Sequence, residues 1–201
     1  MVSIEDSESP KRRAILNAAT ELFTARGYGA VSMDAIAREA DVSKATLYAH
    51  FESKDRLFAT IVQSACQEHI TPTGELADDA ALDVEASLRA IGGRILRFFL
   101  RDRTMAIYRL VMAESARFPE LGNAFYQGGP ANGRRMLAAW LTRQPGLVVP
   151  DVAIAAEQFF GLLRTDLYLR ASVGLTPVPD EAAIDAVVDA AVQTFLRAYR
   201  L

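Results

Sequence analysis

One cysteine (Cys66), two histidines and three lysines stand in 201 residues, and each scarcity excludes something. A single thiol closes no internal disulfide, which suits a reducing compartment. No 18-residue apolar run occurs, so no membrane span is expected. The opening stretch MVSIEDSESPKRR is acidic and then basic, and it lacks the apolar core of a signal peptide. The expectation is a cytoplasmic protein. Sustained period-2 alternation is nearly absent, so strands are not expected either. Hydrophobic residues make up 51% of the chain, ample for one large or two modest domains.

Catalytic and metal chemistry find little footing. No Ser-His-Asp, Cys-His or paired-carboxylate arrangement is indicated, and Glu114 and Asp166 are single acids without a visible partner. Cys66 and His69 are spaced as Cys-x-x-His, but two ligands do not make a structural zinc site, which wants four. Cys66 reads as a small buried residue, with a low-pKa thiol sensor as the alternative. The run Gly128 to Arg134 is glycine-rich, but it lacks Gly-Lys-Ser/Thr and no strand precedes it. It reads as a helix break instead of a phosphate loop. No enzyme, metal or cofactor is expected.

What remains is helix-period sequence, predicting an all-α protein of about nine helices without a solenoid repeat. The first helix is expected from Pro10 to Arg26, with Ile15, Ala18, Ala19, Leu22 and Phe23 as its apolar stripe. Gly27 suits its left-handed exit. A helix opened by Ser53 carries Leu57, Phe58, Ile61, Val62 and Ala65 to about Ile70. A break with Pro72 and Gly74 follows, over Thr71–Asp79. Later helices are expected at about 83–101 and 103–116. A segment from Pro119 is interrupted at Gly128-Gly129-Pro130 and resumes from Gly133 to Arg143, as either one bent helix or two. One helix is expected from Asp151 to Ala171 and another from Asp180 to Tyr199, with the stiff Thr176–Pro179 loop between them. The expected organisation is a flexible tail (1–9), an N-terminal helical domain (10–56) and a C-terminal helical domain (57–201), linked mechanically by the helix after Ser53.

The stretch Ser32–Phe51 organises the rest. Met33 to Glu39 forms one short helix, and Ser43 caps a second from Lys44 to His50. Asp41 stands where the chain reverses, and Asp tolerates left-handed backbone. Val42 fills the angle, and small residues at 37, 40 and 45 let the helices approach. This is the pattern of a helix-turn-helix, whose second helix enters the major groove. Charge distribution agrees modestly. Residues 1–9 hold three acids and no base, 10–56 are net +2 with all three lysines, and 57–201 are net −2.

The segment 10–56 closely resembles the TetR family of bacterial transcriptional regulators. The residues that carry the resemblance are Ile15-Leu16-Asn17-Ala18-Ala19, Leu22-Phe23, Gly27-Tyr28, Ser32 to Ala37, Val42 to Tyr48, His50-Phe51 and Lys54. The stretch Arg117-Phe118-Pro119-Glu120-Leu121 with Phe125-Tyr126 resembles one subgroup of the family's C-terminal domains. Many relatives have Gly at Asp41 and at Ala45. The resemblance implies that Ser43, Lys44, Thr46, Tyr48, His50 and Lys54 face DNA. In the first turn of the recognition helix, Lys44 suits guanine, and Ala45 or Thr46 suits a thymine methyl. Tyr48, His50 and Lys54 suit phosphates, and Ser32 suits a phosphate from the other side.

The implied function is a repressor that acts as a homodimer on a palindromic double-stranded operator. A largely apolar small-molecule effector would release it. Expected ligand-binding residues are Phe98, Tyr108, Met112, Phe125, Trp140, Leu163 and Asp166. Expected interface residues on the last two helices are Ile154, Phe159, Leu162, Ile184, Val187, Val188, Ala191 and Phe195. The alternative is a helical small-molecule-binding protein or enzyme whose N-terminal domain does not read DNA. The residues at Lys44, Thr46, Tyr48, His50 and Lys54 suit DNA, which disfavours it.

Overall fold

The computed structural model describes residues 9–70, 83–175 and 180–200, the side chains of 66–70 excepted. The expected tail (apart from Ser9), the Thr71–Asp79 break and the Thr176–Pro179 loop lie outside the described residues. Eleven helices order the rest: α1 (Pro10–Arg26), α2 (Met33–Glu39), α3 (Lys44–His50), α4 (Lys54–Ile70), α5 (Val84–Phe99), α6 (Asp102–Glu114), α7 (Pro119–Gly128), α8 (Pro130–Leu141), α9 (Val152–Leu163), α10 (Asp166–Ser172) and α11 (Glu181–Tyr199). No strand forms among the described residues, where an isolated antiparallel bridge joins Leu147 to Arg200. The all-α expectation holds.

The count exceeds nine because the segment from Pro119 forms two helices and one expected helix breaks. Pro130 forces Gly129 out of helical backbone (φ −107°, ψ −88°), which separates α7 from α8. The stretch expected as one helix from Asp151 to Ala171 divides at Arg164-Thr165. Thr165 takes extended backbone there (φ −85°, ψ −166°). The Arg164 guanidinium lies over the rings of Phe99 (5.1 Å) and Tyr168 (5.5 Å).

The chain forms two compact units, Met1–Ala65 with Ala106–Gly129, and Cys66–Met105 with Pro130–Leu201. This differs from a division after residue 56. In the first unit Phe58 of α4 joins Phe23 and Tyr28 in an aromatic cluster, with centroids at 5.9 Å from each. Phe118 closes it, 5.4 Å from Tyr28 and edge-on. Such pairs add about 0.5–1.5 kcal/mol beyond the area they bury. Leu57, Ile61 and Val62 are buried as well. The start of α4 and the α6–α7 stretch therefore belong with the N-terminal helices.

In the second unit α5 packs on α11, and α9 packs on α8 and α11. Gly92 makes the close approach of α5 possible: a Cβ there would meet Phe159 and Val188 at 3.3 Å. Ion pairs run alongside. Arg89 bridges Glu85 and Asp189, and Arg97 bridges Glu181 and Asp185. These pairs are exposed to solvent and screened by it, so they contribute little. The buried stripes, including Leu88, Ile95, Phe159, Val188, Val192 and Phe195, carry most of the packing, at about 1.5–3 kcal/mol per large side chain.

Candidate nucleic-acid interface

The reversal between α2 and α3 is built from local rules. Ser32 caps α2 by accepting from the Ala35 N–H at 3.2 Å. The helix ends with Asp41 N–H donating to the Arg38 carbonyl (3.2 Å) and Val42 N–H donating to the Ala37 carbonyl (3.0 Å). That bond pair defines a Schellman exit, in which the donor of the shorter loop, here Asp41, is left-handed. Asp41 takes φ +51° and is the sole positive-φ non-glycine among the described residues. Ser43 then caps α3, accepting from the Thr46 N–H at 3.0 Å. Each cap is worth about 1 kcal/mol.

The inner side of this motif is apolar and closed. Ile36, Ala37, Leu47 and Phe51 are buried, with Leu47 at 0% exposure. On the outer side Ser32, Ser43, Lys44, Ala45 and Tyr48 are exposed, and Thr46 and His50 are partly so. One short helix thus presents a cation, a methyl, hydroxyls and an aromatic ring to solvent. A helix fits the major groove, and these groups match its donors, acceptors and thymine methyls.

Two linkages shape that face. The Ser43 and Thr46 hydroxyls share a hydrogen bond of 2.8 Å. The Lys44 ammonium lies 2.8 Å from Oδ1 and 3.0 Å from Oδ2 of Asp34 on α2. The Asp34 hydrogen bond is the main cause that holds Lys44 above its ordinary pKa. Sequence reasoning assigned Asp34 no role, because partners ten residues apart on two helices show no periodicity. It also passed over Arg12, whose guanidinium stacks 5.5 Å from the Phe51 ring.

Lys54, expected to face phosphates, donates instead to the carbonyls of Tyr28 (2.8 Å) and Val31 (3.0 Å). Its ammonium also lies 4.3 Å from the Tyr28 ring centroid. Partial burial lowers its pKa. The same turn is held from its other end. Glu114, read in sequence as partnerless, accepts from the backbone N–H of Tyr28 (2.9 Å) and of Gly29 (3.0 Å). Two glycines make room around this clamp, Gly27 for the carboxylate and Gly29 for the Phe118 ring. Gly27 takes φ +81°, and a Cβ there would lie 2.4 Å from Glu114 Oε1. A Cβ on Gly29 would meet the Phe118 ring at 2.7 Å. No sequence signal could find contacts 85 and 86 residues apart.

The expected ligand-binding residues fall in both units. Tyr108 and Phe125 come together in the first, with ring centroids 6.3 Å apart and both partly exposed. Met112, in the same unit, is 55% exposed. In the second unit Phe98, Trp140 and Leu163 are core residues. Asp166 is exposed and pairs with Arg170 at 3.9 Å. Of the expected interface residues, Phe159, Ile184, Val188, Ala191 and Phe195 are buried inside their own unit. The most apolar stripe of each helix goes to the core. Ile154 is exposed, and Leu162 and Val187 are partly so.

Among the described residues, no group of His, Cys, Asp and Glu could hold a metal ion. The side chains of Cys66 and His69 lie outside them. No described helix is long and apolar enough to cross a membrane.

Residues 15–61 match the family described as bacterial regulatory proteins, tetR family. Residues 86–201 match the C-terminal domain of AefR-like transcriptional repressors. The transcriptional regulator UidR of Escherichia coli (strain K12) is 40% identical over 62 residues, 31% of this chain. There the chain spans only 32% of UidR's length. Solved structures match throughout. A TetR-family regulator from Mesorhizobium loti is 30% identical with a TM-score of 0.79, covering 95% of this chain and 97% of that one. The flavonoid-responsive regulator FrrA is 36% identical with a TM-score of 0.74, covering 94% and 97%. The chain belongs to the TetR family, as a transcriptional regulator with an N-terminal helix-turn-helix DNA-binding domain and a helical C-terminal domain.

Proposed function

We propose that the protein is a ligand-released repressor. A homodimer holds two α3 helices roughly 34–36 Å apart on a palindromic operator. The observation that carries this reading is the two-sided α2–α3 motif, with Leu47 sealed in the core and Lys44, Ala45 and Tyr48 outside. Lys44, Ala45 and Thr46 read base edges; Ser32, Ser43, Tyr48 and His50 hold phosphates. We assign Lys54 to holding the Tyr28–Val31 turn, since its ammonium already serves two carbonyls.

The dimer face we assign is the outward side of α9 and α11: Ile154, Gly161, Leu162, Val187 and Ala190. Ile154 is 52% exposed, and a Cβ at Gly161 would touch nothing within 4 Å. Small and apolar residues suit close packing of helices from two copies. The effector is an apolar, aromatic molecule that meets the part-buried pair Tyr108 and Phe125. FrrA is described as flavonoid-responsive, which makes flavonoids the first class to try. The effector needs only a differential affinity for two states, typically about 1–3 kcal/mol.

The test is gel retardation with DNA from upstream of the protein's own coding region, with and without a flavonoid panel. Salt-sensitive retardation that a flavonoid reverses supports the reading. Retardation that no flavonoid alters removes the assigned effector class. No retardation at any salt removes the DNA-binding reading.

A further inference from the structure

The Lys44–Asp34 pair stands on the exposed side of the helix-turn-helix, and both its side chains are more than half exposed (62% and 57%). The ammonium spans both carboxylate oxygens, at 2.8 and 3.0 Å. Three consequences follow from that geometry.

The pair is electrically neutral. A free lysine on DNA releases counterions by neutralising a phosphate. A lysine that shares its charge with a carboxylate does so poorly, and the carboxylate itself repels phosphates. Direction is the second consequence. An ammonium on a flexible stem is normally a roaming point charge, but here the carboxylate fixes where it lies. The third concerns the remaining first-turn groups. The Ser43 and Thr46 hydroxyls already bond each other, so Lys44 and Asp34 are the strongest donor and acceptor at that end of the motif.

We infer that Asp34 is a specificity-determining residue: the Asp34–Lys44 couple reads a G·C-containing step as a joined acceptor and donor. This rests on the DNA-binding reading above. Lys44 donates to guanine O6 or N7, and Asp34 accepts from a cytosine N4 amino group. A thymine opposite the carboxylate offers only an acceptor and a methyl, leaving the charge unmatched. Asp34 also weakens binding to DNA at large, because it withholds a cation from the phosphates.

The test compares the wild type with Asp34→Asn and Asp34→Glu, each as the full chain. Bound duplexes are selected from a random-sequence pool and sequenced. Affinity for one arbitrary duplex is then followed from 50 to 200 mM KCl, a range in which phosphate contacts dominate. Wild type should select cytosine at one position per half-site. Asp34→Asn should lose that preference on the order of tenfold. It should also bind the arbitrary duplex more tightly, with the log–log salt slope steeper by about 0.9 per freed lysine. Asp34→Glu should keep the preference. An Asp34→Asn protein that binds with unchanged preference and slope, or that merely weakens on every sequence, overturns the inference and leaves the DNA-binding reading intact. A wild type that binds no duplex overturns both.

Discussion

The Glu114 carboxylate accepts hydrogen bonds from the Tyr28 backbone at 2.9 Å and from Gly29 at 3.0 Å, pinning the turn that leads into the helix-turn-helix. Hydrogen bonds to charged groups contribute about 1.5–3 kcal/mol each, and unmatched donors cost more than average bonds gain. Glu114→Gln keeps one acceptor and turns an amide NH2 toward the other N–H. It should lower stability by about 1–2 kcal/mol, read as an earlier urea midpoint at unchanged slope. An unaltered midpoint would show that the clamp contributes nothing.

Tyr28 supplies a pH dependence. Burial is the main cause that pushes its phenol up to about 12, with Asp55 and Glu120 adding to it. The ordinary value is 10.0, so between these values the folded chain keeps a proton that the unfolded chain has released. Stability from this group is complete below pH 10 and falls as the pH rises toward 12. Denaturant melts from pH 9 to 12 should show that loss in the wild type. Tyr28→Phe should lack this part of it. A parallel decline in both proteins would assign the effect elsewhere.

How much of this was legible in the sequence depends on range. The limits of α1, α2 and α3, the Ser43 cap and the left-handed Asp41 follow from interactions within five residues, and the structure has them where the pattern predicts. The Glu114 clamp, the Lys54 carbonyl contacts and the Asp34–Lys44 pair join residues that share no helix, so no spacing announces them. Helix faces failed for a related reason. Phe159, Val188 and Phe195 form obvious stripes, but a stripe shows only that a face is covered. The structure shows that the chain covers them itself. At Arg164-Thr165 the apolar pattern continues through a real break, so periodicity alone joined α9 to α10.

Asp41 carries a modest backbone cost. Left-handed backbone costs ordinary L-residues roughly 1–2 kcal/mol, and Asp less. Asp41→Gly should therefore leave stability unchanged or raise it by up to about 1 kcal/mol, and Asp41→Val should lower it by about 1–2 kcal/mol. Thermal melting ranks the three proteins. A valine variant as stable as the glycine variant would contradict the strained turn.

The two kinds of position on α9 and α11 should separate cleanly. Phe195→Ala removes a core ring and should cost about 3–5 kcal/mol of folding stability. Ile154→Asp with Ala190→Glu should leave the helical circular dichroism and the melt of each protomer nearly intact, yet shift sedimentation from dimer to monomer and weaken DNA binding. A double variant that still sediments as a dimer would move the interface elsewhere.

The most direct measurement is fluorescence anisotropy with a duplex selected by the protein, titrated to stoichiometry at several salt concentrations. A homodimeric repressor should bind as two protomers per palindrome, with half-sites roughly one helical turn apart. Affinity should fall steeply with salt and be largely lost on Tyr48→Ala. Binding of one protomer, or binding indifferent to both salt and Tyr48, would contradict this reading.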